Sequence, residues 1–224
     1  MSSLAFNSKN MISSGIADHY FRDNQPTVLS NIYQSDCNIA TWKRALSPQI
    51  VSSVNNFLIS NNRFQLLTAL SPQDAFSRIH QALGGSDVMS PLSENIAELV
   101  DMFCCLFDLE KAGLRLMALD KAMCPRFHAD KVFCRLVTTY QGSATQWLPH
   151  NDIDHSKLGH GSNGKSDDQS GLFRTASDIQ QLELGDVALL KGDAWEGNEG
   201  AGLVHRSPAL IDGEQRLLLT LDIA

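Results

Sequence analysis

The feature that most constrains this chain is a change in the periodicity of its apolar residues at Gly113. Before that residue, three segments open with the dipeptide Ser-Pro and continue with apolar residues three and four positions apart; the dipeptides begin at Ser47, Ser71 and Ser90. Serine is a common helix N-cap, proline suits the first helical position, and this spacing places the apolar side chains on one face. We therefore predict a layer of three amphipathic helices over residues 46–112.

After Gly113 the apolar residues come in short β-branched or Leu-rich runs, separated by Gly, Pro, Asp and Asn. Such runs are typical of an antiparallel sandwich or barrel. The predicted strands cover residues 114–119, 131–140, 186–191, 203–206 and 215–223. Helices followed by strands favour the α+β class, with the helices packed on a β core formed by residues 113–224. No linker-like sequence separates the two parts, so we expect one integrated domain.

The first 45 residues are polar and rich in Ser and Asn. This composition predicts an irregular N-terminal arm over residues 1–45, with one short strand near residues 28–33. Neither a charged and apolar leader nor an apolar stretch of membrane-spanning length is apparent. The five cysteines are an odd number, so a disulfide framework is not indicated and we expect a cytoplasmic protein.

The charge balance bears on the kind of partner. The 224 residues include 18 Lys and Arg against 25 Asp and Glu, a formal net charge of −7. Proteins that bind nucleic acid or anionic membranes usually carry a basic excess or a basic stripe, and this sequence has neither. We therefore expect a small-molecule substrate, with no nucleic acid and no membrane as partner; the oligomeric state is left open.

Four residues near predicted strand ends form a candidate metal and ligand site. His128 and Asp130 are two residues apart in an extended segment, so their side chains point to the same face. His205 ends another predicted strand, and Arg216 lies at the start of the last one. Two imidazoles and one carboxylate make a facial triad, which suits Fe(II) because it leaves coordination positions open. Arg216 would then pair with a carboxylate of a dicarboxylic co-substrate.

The same residues allow two other interpretations. His128 hydrogen-bonded to Asp130 would be an ordinary core pair, and His205 a loop residue capped by Ser207. Alternatively, Cys124 joins the three residues and closes a tetrahedral zinc site, which would be structural or a metal store. Against this fourth ligand stands the common role of buried cysteine as a small hydrophobic residue.

Other residues are assigned roles around this centre. Arg135 lies in an otherwise apolar strand, so it needs a partner carboxylate whatever its function. Arg135 and Tyr140 are predicted to orient ligands. A polar segment running to about residue 171 contains His150, His155 and His160, which predicts a solvated loop, with an auxiliary metal site or a lid as the alternative. Glycine-rich dinucleotide and phosphate motifs are lacking, as is a nucleophile elbow.

Six stretches of the chain resemble one uncharacterised bacterial family. They are Asn-Ile-Ala-Thr-Trp-Lys-Arg from Asn38, Cys-Pro-Arg-Phe-His-Ala-Asp-Lys-Val from Cys124, Arg-Leu-Val-Thr-Thr-Tyr-Gln-Gly from Arg135, Thr-Gln-Trp-Leu-Pro from Thr145, Gly-Asp-Val-Ala-Leu-Leu-Lys-Gly from Gly185 and His-Arg-Ser-Pro from His205. That family is described only as a domain of unknown function. The resemblance covers approximately residues 36–224 and implies no activity.

The C-terminal half is also similar, more distantly, to the double-stranded β-helix of the 2-oxoglutarate- and Fe(II)-dependent dioxygenases, a jelly-roll or cupin-like core. Their pattern is His-x-Asp, a distal His and an Arg on the last strand. The resemblance implies that His128, Asp130 and His205 bind Fe(II), with zinc as the alternative, and that Arg216 binds 2-oxoglutarate. One position departs from the pattern: Leu218 stands where many members have Ser, so the co-substrate would lose one hydrogen bond.

These observations predict a metal-dependent oxygenase of the Fe(II)/2-oxoglutarate type, acting on an unidentified small molecule or side chain. A non-catalytic metal-binding protein in zinc or iron homeostasis is the alternative, and a β-helix scaffold with a degenerate site is a third. These three possible functions predict different geometries of the site. Open metal positions with Arg216 directed at them favour the enzyme, a closed four-ligand site favours the metal store, and a filled pocket favours the scaffold.

Overall fold

The computed structural model describes residues 20–223. The strands in this range are β1 Tyr20–Asp23, β2 Ile39–Trp42, β3 Gln65–Leu70, β4 Ala112–Leu119, β5 His128–Ala129, β6 Cys134–Gln141, β7 Gln146–Trp147, β8 Gln180–Gln181, β9 Val187–Lys191, β10 Val204–Arg206 and β11 Arg216–Ile223. The α-helices are α1 Pro48–Ser60, α2 Pro72–Ala82, α3 Ser90–Phe107 and α4 Asp167–Ser170. None of these helices combines the length and apolar character needed to cross a membrane.

The strands form two sheets. The larger has seven strands in the order β1-β2-β9-β6-β11-β4-β3, and the smaller has four in the order β5-β10-β7-β8. Only β1 and β2 pair in parallel; every other described pair is antiparallel. The strands near the centre of the large sheet, β6 and β11, therefore have strand partners on both sides.

The central strand β11 has two chemically different faces. Leu217, Leu219 and Leu221 alternate with Arg216, Leu218 and Thr220, and successive side chains of a strand point to opposite sides. The three odd-numbered leucines join one buried apolar cluster with residues of the first three helices; its helical members include Val54, Phe57, Ala75, Ile79, Leu92, Ile96, Leu99 and Phe103. One face of the large sheet is thus covered by helices.

The small sheet covers the other face. Val137, Leu190 and Leu218 of the large sheet share a second buried cluster with Trp147 of β7 and with Leu203, which precedes β10. Arg216 and Thr220 point into the same space between the sheets, where they line a cavity. The polar face of β11 is therefore enclosed between two sheets, and the apolar face is enclosed by helices.

Two of the three predicted helix starts are confirmed, and the third is shifted by one residue. The side chains of Ser47 and Ser71 accept hydrogen bonds from the backbone N–H groups of Ile50 and Asp74. In α3 the N-cap is instead Met89. Ser90 already has helical backbone angles (φ −56°, ψ −46°), and so does Met89 before it (φ −87°, ψ −11°), in contrast to the extended N-caps Ser47 and Ser71. A short 3₁₀ turn runs directly into α3 and leaves Ser90 inside the helix.

The prediction of a strand near residues 28–33 was wrong. The chain there forms a 3₁₀ helix, Pro26–Tyr33, which buries Val28, Leu29 and Ile32. Their spacing of one, three and four residues is helical rather than alternating, and it places all three on one side. The prediction of a strand relied on residue composition rather than on this helical spacing.

Six described strands lie outside the predicted strand ranges, and three of them, β5, β7 and β8, have only two residues each. β1 and β2 fall within the predicted arm, and β3 lies between two predicted helices. β1 pairs only with β2, and β3 only with β4, so each occupies an edge of the large sheet. Short edge strands have weak local signatures because their formation depends on a distant partner. Residues 1–19 of the predicted arm lie outside the described residues.

The capping difference gives a test by substitution. We expect Ser71→Ala to lower the free energy of unfolding by about 1 kcal/mol, because the Asp74 N–H loses its acceptor. Ser90→Ala is the matched control: Ser90 is also followed by proline, but its side chain is not a cap, so we expect a change below about 0.5 kcal/mol. Urea unfolding followed by circular dichroism measures both. Equal losses would contradict the assigned helix starts.

Candidate metal centre

Strand pairing brings His128 and His205 together. They are directly opposite each other in the antiparallel pair of β5 and β10, and their ring centroids are 4.7 Å apart. Asp130 follows β5 and points to the same side as His128. One ligand atom from each of the three residues lies within 4.8 Å of the others, and this is the one group of three or more potential ligands found in residues 20–223.

The hydrogen bonds of the two imidazoles set which nitrogen faces the cluster. His128 Nδ1 lies 2.9 Å from the Arg126 carbonyl oxygen, and His205 Nδ1 lies 3.1 Å from that of Leu203. A carbonyl oxygen only accepts, so each Nδ1 carries the hydrogen and each Nε2 of a neutral ring presents a lone pair. These lone pairs point at Asp130, with Nε2–Oδ distances of 3.6 Å for His128 and 3.4 Å for His205.

Asp130 is ionised in this environment. Burial alone would raise its pKa, but contact with both histidines and the charge of Arg135 outweigh burial and hold the pKa well below its ordinary range. Contact with the Asp130 carboxylate in turn raises the pKa of His128. A carboxylate and two imidazole lone pairs directed at one point repel one another unless a proton or a cation lies between them. This donor set fits a divalent metal ion with open coordination positions.

Arg135 has carboxylate partners, as predicted for a charged residue in an otherwise apolar strand. Its guanidinium contacts Oδ2 of Asp130 and binds Asp222 through two hydrogen bonds, Nε–Oδ1 at 2.7 Å and Nη2–Oδ2 at 3.0 Å. Asp222 lies opposite Arg135 in the pairing of β6 and β11. Sequence reasoning missed Asp222, although its even-numbered position on the same strand as Arg216 places both on one face. Arg135 thus links the candidate ligand Asp130 to the large sheet.

Arg216 is a buried cation without a carboxylate partner in the described part of the chain. It is 1% exposed, and its guanidinium donates to the hydroxyls of Ser207 (2.6 Å), Thr145 (2.9 Å) and Thr139 (3.2 Å). Its Nε has no hydrogen-bond partner there. Burial lowers the pKa of Arg216 to about 10, so the side chain still carries its charge at neutral pH. The charge of nearby Glu214 opposes this lowering, but no carboxylate of the described residues lies within ion-pair distance of the guanidinium, and such a buried cation favours an anionic ligand.

One cavity connects Arg216 with both candidate histidine ligands. Its lining includes His128, His205, Arg216, Leu218 and Thr220. The cavity volume is about 50 Å³, which is room for a few water molecules. Two side chains of the exposed segment before β5, those of Met123 and Cys124, form part of its wall.

Tyr140 is not brought to this cavity. Arg135 and Thr139 point from β6 toward the cavity, whereas Tyr140 points to the opposite face of the large sheet. There its hydroxyl donates to Asn95 Oδ1 of α3 at 2.9 Å. The alternation of side chains along a strand separates Tyr140 from Arg135, so its predicted role in orienting ligands does not agree with its position.

The remaining candidate ligands also lie apart from the cluster. Cys124 is exposed and lines the cavity, but it is not among the ligand atoms grouped with the two histidines. The rings of His150 and His155 contact each other with centroids 4.6 Å apart, and His160 is exposed. None of these three belongs to the metal-ligand group found in residues 20–223. The described residues therefore do not form a closed four-ligand site.

The fold is similar to that of a dioxygenase of known structure. A crystal structure of the dioxygenase for auxin oxidation in rice aligns with a TM-score of 0.50 at 10% identity, covering 92% of this chain and 83% of that chain. Weaker alignments are found with a full-length Neurospora crassa protein in complex with alpha-KG (TM-score 0.47, 12% identity, 100% and 88% covered) and with EvdO2 from Micromonospora carbonacea var. aurantiaca complexed with 2-oxoglutarate (0.42, 11%, 94% and 92%). The fold assignment rests on the first alone.

The chain belongs to the family described as protein of unknown function (DUF1826), which matches residues 23–222. The resemblance to an uncharacterised family is therefore confirmed, and the more distant resemblance to dioxygenases is confirmed for the fold. No curated protein matches the sequence.

The cluster predicts where a metal ion binds. We expect the protein to bind one Mn(II) or Zn(II) ion, and His205→Ala to weaken this binding at least about tenfold because one of three ligands is lost. Titration calorimetry of protein first stripped with a chelator measures the affinity and the stoichiometry. His160→Ala removes an exposed imidazole outside the cluster and should bind as the wild type does. Equal loss in both variants would contradict the site.

Proposed function

We propose that this protein is an Fe(II)- and 2-oxoglutarate-dependent oxygenase that acts on a small molecule or a side chain. The observation that carries the proposal is one cavity lined by His128, His205 and a buried Arg216, which has only hydroxyl hydrogen-bond partners in the described part of the chain. Asp130 completes the ligand group with the two histidines. The two histidines and Asp130 suit a metal with open positions, and Arg216 suits a carboxylate. Their proximity favours one ligand that engages both.

The donor set supports iron as the metal. Two neutral imidazoles and one carboxylate on one side of a site are the ligand set of non-haem Fe(II) oxygenases. When bound, Fe(II) supplies the capacity to activate dioxygen together with a 2-oxo acid. The protein's part is to keep the Nε2 lone pairs of His128 and His205 directed at the metal, and Asp130 ionised. Zinc fits the same three ligands and is the alternative metal.

The surroundings of Arg216 support a carboxylate co-substrate. Leu218 lies two residues further along β11 and offers no hydrogen bond, in contrast to the serine of the family pattern. The hydroxyls of Thr139, Thr145 and Ser207 surround the guanidinium instead. Each hydroxyl oxygen accepts from the guanidinium and can donate its O–H to a carboxylate that binds Arg216, which offsets the absence of a hydroxyl at position 218.

The cavity opens toward the segment before β5. Since about 50 Å³ holds only a few waters, entry of 2-oxoglutarate requires outward movement of the wall that contains Met123 and Cys124. This wall consists of exposed residues outside the two sheets, so its movement spares the strand pairing, but movement of its backbone breaks the hydrogen bond from the Ser207 N–H to the Cys124 carbonyl oxygen (2.9 Å). We assign substrate entry to the same side. In fold terms, the two sheets would form the double-stranded β-helix and the three helices its supporting layer, as one integrated domain.

The test is co-substrate turnover. With Fe(II), ascorbate and dioxygen, we expect wild-type protein to release CO₂ from 1-¹⁴C-labelled 2-oxoglutarate even without its substrate. Arg216→Met keeps the volume and removes the charge-assisted hydrogen bonds, so the apparent affinity for 2-oxoglutarate should fall by roughly ten- to a hundredfold. Binding of 2-oxoglutarate to the Mn(II)-loaded protein provides a second readout.

One control variant and two contrary outcomes complete the test. Arg63→Met removes an arginine whose side chain is 84% exposed, and it should leave turnover and 2-oxoglutarate affinity unchanged. Tight zinc binding without 2-oxoglutarate binding would instead support the non-catalytic metal-binding protein. Failure to bind either metal would contradict both functions and leave the degenerate scaffold.

A further inference from the structure

Asp167 is a buried carboxylate that no metal or co-substrate role accounts for. It is the first residue of the four-residue helix α4, in the polar segment that follows β7, and it is 7% exposed. Its two oxygens accept hydrogen bonds from three groups: Oδ1 from Arg126 Nε (2.7 Å), and Oδ2 from the Phe127 backbone N–H (3.0 Å) and Arg206 Nη1 (3.3 Å). Phe127 and Arg206 are the chain neighbours of the candidate ligands His128 and His205, and Arg126 lies two residues before His128.

One peptide group connects Asp167 with His128. The N–H of Phe127 and the carbonyl of Arg126 belong to the same peptide unit, which is planar. Its N–H donates to Asp167, and its carbonyl oxygen accepts from His128 Nδ1 at 2.9 Å. Holding the N–H end therefore also fixes the direction of the carbonyl, and this carbonyl selects the tautomer of His128. Hydrogen bonds in such a chain polarise one another.

Asp167 also contacts the second histidine strand. Arg206 follows His205 on β10, donates to Asp167, and stacks over the Phe127 ring at 4.3 Å. The pairing of β5 with β10 extends over two residues only, so few backbone hydrogen bonds hold the two imidazoles opposite each other. A carboxylate bound to both strands adds charge-assisted hydrogen bonds across this short pairing.

We propose that Asp167 is a positioning residue of the metal centre. Through the Arg126–Phe127 peptide it holds His128 as the Nδ1–H tautomer with Nε2 free for the metal, and through Arg206 it holds the strand of His205. Outer-shell carboxylates that orient a metal-binding histidine usually contact its Nδ1–H directly, whereas here a peptide group lies between them. The inference rests on the metal centre of the proposed function and extends it to the polar segment after β7.

The test compares Asp167→Asn with Asp168→Asn in the full chain. Asp168 is the next residue of α4 and is exposed, so it is a matched control for charge and location. Long-range ¹H–¹⁵N spectra of the metal-free proteins, at a pH where His128 is neutral, report its tautomer. We expect the Nδ1–H form in the wild type and in Asp168→Asn, and a mixture of tautomers in Asp167→Asn. Zinc affinity should fall roughly 10- to 100-fold in Asp167→Asn alone, with thermal unfolding still cooperative.

Several outcomes would overturn the inference. One is wild-type zinc affinity in Asp167→Asn, and another is an unchanged His128 tautomer in that variant. If Asp167→Asn does not fold, the wild-type protein provides the test. An Nε2–H tautomer of His128 would contradict the hydrogen-bond chain from Asp167 to His128. So would a Phe127 amide that exchanges with solvent as fast as an exposed one. Because the tautomer is measured without metal, absence of metal binding in the wild type would count against the proposed function and not against this hydrogen-bond chain.

Discussion

The pairing of His205 with His128 is the contact on which the candidate centre depends. The two residues are 77 positions apart in the chain, yet they lie directly opposite each other between β10 and β5. Side chains alternate along a strand, so a shift of one residue in either strand would turn one imidazole to the opposite face. The pairing is short, and it is reinforced by contacts outside the ladder, from Arg135 to Asp130 and from Asp167 to the flanking residues.

The same alternation separates the hydrophobic core from the polar chemistry. On β11, the side chains of Leu217, Leu219 and Leu221 pack against the helices, and those between them line the cavity. Burying one face against helices removes most of the apolar surface of the strand from water. The other face can then carry polar and charged groups close to one another, because the core on the helix-covered face stabilises the strand.

Charge is distributed unevenly on that polar face. The guanidinium of Arg135 is neutralised by Asp130 and Asp222, whereas that of Arg216 has hydroxyl partners alone among the described residues. A buried cation with no carboxylate at ion-pair distance costs roughly several kcal/mol unless a counter-ion is supplied. A protein that retains such a group gains from a ligand of opposite charge. The imbalance gives the proposed co-substrate site a physical basis separate from the fold likeness.

The elements that could be predicted from the amino-acid sequence are those whose signals are local. Helices α1, α2 and α3 were predicted from Ser-Pro dipeptides followed by apolar residues at helical spacing. The residues that the structure brings together were predicted from a His-x-Asp motif with a distant His and Arg. Three-dimensional contacts were needed for the rest, namely β1 to β3, the two-residue strands β5, β7 and β8, the separation of Tyr140 from the cavity, and the partners Asp222 and Asp167. Capping and periodicity depend on neighbouring residues, whereas strand pairing, sheet faces and loop contacts depend on residues distant in the chain.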